Sequence, residues 1–171
     1  FIGLFGIILY IILYIVAAVY YTGGSSINKA AVGFDWANNY WCELISPTGK
    51  NGQVNHAYPI AIAAAIVLFV SLSAFWLAAP FSIIPQSRLA KITSILGVGS
   101  MVFAISMLSG QYHDLLISIA GILGVSAIIL LLYHLHKGKQ FGVFYLGLLC
   151  VFLCLVNNYV YYTGHFLNYL P

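Results

Sequence analysis

PIAIAAAIVLFVSLSAFWLAA, residues 59 to 79, contains no charged side chain. About 20 apolar residues, rising 1.5 Å each, cross the roughly 30 Å hydrocarbon layer of a bilayer. Pro59 suits the first turn of a helix, where its missing N–H has no partner to lose. The alanine-rich beginning lets a neighbouring helix approach closely. The stretch reads as a transmembrane helix.

Four more segments read the same way: residues 2–21, 90–109, 115–134 and 141–162. The first lacks the basic start and small-residue cleavage site of a secretory signal. Of the 171 residues, 63% are hydrophobic and only 5% charged, whereas a soluble domain carries about 25% charged residues. Lipid must therefore cover most of the surface. The expected fold class is all-α: a polytopic transmembrane helical bundle, with residues 1–171 as a single transmembrane domain. A net charge of +3 without a basic, aromatic-interleaved patch argues against nucleic acid.

The connections follow from punctuation. Tyr20 and Tyr21 form an interfacial belt where the first span ends. Residues 22–58 make a long polar loop. Pro80 and Pro85 are expected to end the second span ahead of a short connection carrying Arg88 and Lys91. Gly110 to His113 reads as a tight hairpin, with Asp114 placed to cap the fourth span. Ala120 and Gly124 supply a small-xxx-small contact within that span. HLHKGKQ (134–140) is the next connection, with His134 and His136 read as a solvated edge. Cys150 and Cys154 read as inert, buried packing residues. Four basic residues in the short connections against Lys29 and Lys50 in the long loop place loop 22–58 on the extracytoplasmic side. Phe1 and the closing Pro171 read as trimmed ends, with a sixth span expected beyond.

Within the long loop, FDWANNYWCELIS (34–46) divides into two faces when wound as a helix. Asp35, Asn38, Asn39, Cys42, Glu43 and Ser46 share one polar stripe; Phe34, Ala37, Tyr40, Trp41 and Leu44 fill the other arc. A short amphipathic helix is expected here. Topology gathers all three acids, with His56, His113 and His165, on the side of this loop.

Two readings remain open. The stripe could fold over the mouth of the bundle and meet His113 and Asp114. Glu43, His113 and Asp114 would then act as catalytic acid/base groups or ligands, and Asp35, Asn38, Asn39 and Cys42 would bind substrate. Carboxylates with imidazoles at a membrane interface are the ingredients of a zinc site with an open water position, suited to a lipid or lipid-linked substrate. No HExxH or GxSxG motif accompanies them. Alternatively the helix simply lies in the interface, aromatic side in the head groups, and the chain is an accessory subunit whose partners are membrane lipids and other membrane subunits. Mid-span histidines and mid-span charges are absent, so a transmembrane haem or an ion pathway is a poor fit.

The aromatic and Gly/Ser helix exit, then NYWCEL (39–44), then GQVN (52–55) ahead of Pro59 resembles the bacterial membrane family called domain of unknown function 998. That family's loop carries an N-x-x-S-D-L type motif, and Asn39, Cys42, Glu43 and Leu44 stand at those positions, with Cys for Ser and Glu for Asp. GHFLNYLP (164–171) looks like the approach to the family's last helix. The resemblance implies six spans in a bacterial cytoplasmic membrane and a distant similarity to proteins of lipid remodelling.

Overall fold

Long apolar runs have one solution in lipid, the helix, because it satisfies its own backbone hydrogen bonds. The computed structural model describes residues 2–85, 87–109 and 112–163. Five helices follow in order: α1 (Ile2–Val19), α2 (Tyr58–Ile83), α3 (Ser87–Ser106), α4 (His113–Lys137) and α5 (Phe141–Thr163). The chain is an all-α bundle, and four of these helices, all but the shorter α1, are long and apolar enough to cross a membrane. Each packs on its sequence neighbour, and α2 also touches α4. Among the described residues there is no strand beyond isolated bridges, Gly23 with Val32 and Thr48 with Val54.

Lipid supplies no hydrophobic drive between helices, so cohesion depends on close packing. Each successive pair makes that approach at a glycine. Gly6 faces Ser71, Gly97 lies under the Trp76 ring, Gly124 meets Ser100, and Gly147 meets Leu132. The expected contact at Ala120 and Gly124 is present: Ser100 donates its hydroxyl to the Ala120 carbonyl at 2.7 Å. Two buried clusters result. One joins Tyr14, Ala17 and Ala18 of α1 to Ala57, Ala61 and Ala64 and to Leu44 of the loop. The other, at the far end, joins Trp76 of α2 to Ala127, Leu131, Leu132 and Leu135 of α4.

Four expectations need correction. α2 does not stop at Pro80 but runs on to Ile83. Pro80 lies in the last turn, its carbonyl still accepts from Ile84 N–H at 2.8 Å, and only one helical donor is lost. Ile84, extended ahead of Pro85, makes the actual stop. The N-cap of α4 is Tyr112, in a left-handed conformation at φ 53°, so Asp114 falls inside the first turn. α4 also continues to Lys137, which places His134 inside the helix. It is buried at 5% exposure and meets Tyr133 edge-on, rather than forming a wet edge. Cys150 and Cys154 are exposed, because α5 meets α4 only near their connecting turn. Phe144, Gly147 and Val151 make that contact, and every residue from Phe152 to Tyr159 is exposed.

A methyl group at Gly97 has no room against the Trp76 ring, whereas one at Gly142 meets nothing. Gly97→Ala is expected to destabilise the bundle by about 1–3 kcal/mol through overpacking. Gly142→Ala should leave thermal unfolding in detergent unchanged or slightly raised.

Candidate functional site

The segment 34–46 is not one continuous helix. Asp35 diverts the backbone: its Oδ1 accepts Ala37 N–H at 3.0 Å and its Oδ2 accepts Asn38 Nδ2 at 2.8 Å. Short polar side chains compete with helical hydrogen bonding in this way. The chain makes a turn, becomes extended at Tyr40, and then winds into one short 3₁₀ helix, Trp41–Ile45. The loop does carry a short helix, but of five residues, and the six-residue polar stripe is divided.

Asn39 and Glu43, four apart, point inward and are buried. Asn39 Nδ2 donates to a Glu43 carboxylate oxygen and, at 2.8 Å, to the Gly24 carbonyl. Its Oδ1 accepts Asp35 N–H at 2.8 Å. The Glu43 carboxylate also accepts from Ser26 Oγ at 3.5 Å and lies 3.6 Å from Lys50 Nζ. The loop therefore closes around one buried anion. A second amide does the same for the strand of chain returning to α2. Asn55 Nδ2 is shared among the carbonyls of Glu43, Leu44 and Ser46, and its Oδ1 accepts Ala57 N–H at 3.0 Å.

Aromatic rings fasten this cap to α1. Tyr14 donates its hydroxyl to the Trp41 carbonyl at 3.0 Å, and the two rings stack with centroids 5.1 Å apart. The run extends from Tyr10 through Tyr14, Trp41 and Trp36 to Phe34 and Tyr21. Trp36 and Trp41 remain substantially exposed.

The expected site residues therefore separate. Asn39 and Glu43 come together as a closed pair. Asp35 and Asn38 bond to each other at the surface, with Asp35 tied to Asn39 only through its backbone. The Asn38 amide, and then Ala37 N–H, hold the Asp35 carboxyl below its usual range. That contribution to the turn is present above the ordinary carboxylate pKa and is lost as pH falls through the lowered value. Cys42 is exposed on the other side of the 3₁₀ helix. Partial burial of the thiol, and next the Glu43 carboxylate, push it up from its ordinary value. The side chains of His113 and Asp114, and all of His165, lie outside the described residues. Among the described residues, no three His, Cys, Asp or Glu side chains converge as metal ligands. Sequence reasoning passed over Tyr14, Lys50 and the role of Asn55; only GQVN carried a signal for the last. No protein family, curated protein or solved structure matches the chain.

Glu43→Ala removes an acceptor from the buried Asn39 amide and should cost about 1.5–3 kcal/mol, the range for hydrogen bonds to charged groups. Lys50→Met, at a half-exposed cation, should cost under about 1 kcal/mol. Thermal unfolding and proteolysis of the loop measure both. Alkylation of Cys42 in a chain lacking Cys150 and Cys154 should rise with pH through a midpoint above the roughly 8.5 of a free thiol.

Proposed function

We propose that the chain is a non-catalytic integral membrane subunit that organises or stabilises a larger membrane assembly, with α5 as its docking helix. One observation carries this reading. From Phe152 to Tyr159, α5 is exposed on every side, yet it bears Asn157 and Asn158 about one turn inside its end. Beyond the bond that Asn158 donates to the Cys154 carbonyl, lipid offers these carboxamides no partner, and transmembrane helices commonly satisfy such groups on one another. The polar residues of the cap suit the same reading, since the Glu43 acceptors are taken up by Asn39, Ser26 and Lys50. Arg88, Lys91, Lys137 and Lys139 border the end of the bundle away from the cap, which favours a cytoplasmic membrane with loop 22–58 extracytoplasmic. The resemblance to domain of unknown function 998 favours a bacterial one, with Asn39, Glu43 and Leu44 as scaffold of its loop.

A second reading, binding of a lipid or lipid-linked substrate at the cap, is favoured by the exposed rings of Trp36 and Trp41 beside Asp35. Aromatic side chains of this kind sit at head-group level.

The protein extracted from its native membrane into lipid nanodiscs separates the two. A subunit is recovered in fixed ratio with other polypeptide, in particles heavier than one chain. A single chain holding one defined lipid, lost on Trp36→Ala, would overturn the subunit reading and leave the lipid one.

A further inference from the structure

We infer that Thr93 and Pro80 form a latch between α3 and α2, in which the Thr93 hydroxyl closes onto the Trp76 carbonyl and replaces the donor that Pro80 removes. Pro80 has no N–H, so the carbonyl four residues earlier, that of Trp76, has lost its helical partner. α2 and α3 are joined by residues 84–86 and pack side by side in opposite directions. The Trp76 ring lies on Gly97. One turn further along α2 is Pro80, and one turn back along α3 is Thr93, which brings both to the same depth. Pro80 and Thr93 are among the most completely buried side chains of the fold.

Thr93 Oγ1 is the one buried side-chain polar atom without a hydrogen-bond partner among the described residues. Ser71, Ser106 and Ser126 each return their hydroxyl to the carbonyl one turn back in their own helix; Thr93 does not. It is 0% exposed, so water does not reach it. A buried hydroxyl and a buried carbonyl each left unmatched are costly, and in membrane helices a threonine hydroxyl can satisfy the carbonyl that a proline frees. Threonine has two rotamers open to it in a helix, so the latch closes by a side-chain rotation with α2 and α3 in place. The structure holds it open; the closed form matches both groups. Closed, it fixes the angle at which α2 delivers the chain into α3, beside Arg88 and Lys91. The inference is independent of what α5 meets.

The test is a double-mutant cycle, read by reversible unfolding of the full chain in mixed micelles of sodium dodecyl sulfate and dodecyl maltoside. Thr93→Val keeps the side-chain shape and removes the hydroxyl. In the natural chain it should lower the folding equilibrium constant about three- to tenfold, the range for a hydrogen bond between membrane helices. In a Pro80→Ala background, where the Trp76 carbonyl regains a helical donor, the same change should be neutral. Thr93→Ser should stay close to the natural chain. Thr93→Val that is neutral or stabilising in the natural chain, as an idle buried hydroxyl requires, would overturn the inference, and so would an equal loss in both backgrounds. Infrared spectra of the chain isotope-labelled at its tryptophan carbonyls give a second answer without Pro80→Ala. Thr93→Val should move one labelled amide band to higher frequency; labelled bands that stay where they are sink the latch.

Discussion

A bilayer gives one apolar helix no reason to prefer another helix over lipid, so this bundle is held by how closely its helices approach. Closeness is set where one helix has no side chain. Trp76, a large buried ring, is accommodated because Gly97 presents only backbone to it. The hydrogen bond from Ser100 to the Ala120 carbonyl likewise depends on Gly124 letting α3 and α4 come together. α2 sits at the centre of this arrangement. Its alanine face meets α1 and the loop at one end, and Trp76 meets α3 and α4 at the other.

The cap obeys a different rule. Its chain is irregular, so its carbonyls lack the internal partners a helix supplies. Asn39 and Asn55 take that role, each bridging segments far apart in sequence. Glu43 is buried at 6% exposure and is tolerated because amide, hydroxyl and ammonium groups surround it. A buried carboxylate lacking such partners is strongly unfavourable. The acid is thus committed to holding the loop, and the loop, through Leu44 and Trp41, to covering the end of α1 and α2.

The spans were legible because a single property, uninterrupted apolar length, decides them. Their ends were less so. Pro80 was read as a stop, but a proline in a last turn forfeits one bond and no more. His134 was read as wet because its neighbours Lys137 and Lys139 are polar, while in the continued helix it is buried with its ring edge-on to Tyr133. In the loop, Asn39 and Glu43 were read as two of six residues on one polar stripe, and these two do meet. The continuous helix failed because Asp35 and Asn38 bond locally in a way a periodicity count does not weigh. Tyr14 and Trp41 meet across 27 residues, and no local pattern announces that. His113 and Asp114 were placed on the side of the cap by topology, and the start of α4 agrees for their backbone.

Cohesion is therefore unequal along the chain. Between α1 and α4, glycine contacts, buried alanines and an interhelical hydrogen bond recur, and the cap locks one end. α5 has one glycine contact, at Gly147, close to the turn that joins it to α4. Further along, Leu153 and Leu155 suit lipid, but Asn157 and Asn158 do not. Asn158 offsets part of the cost within its own helix, by donating to the Cys154 carbonyl one turn back.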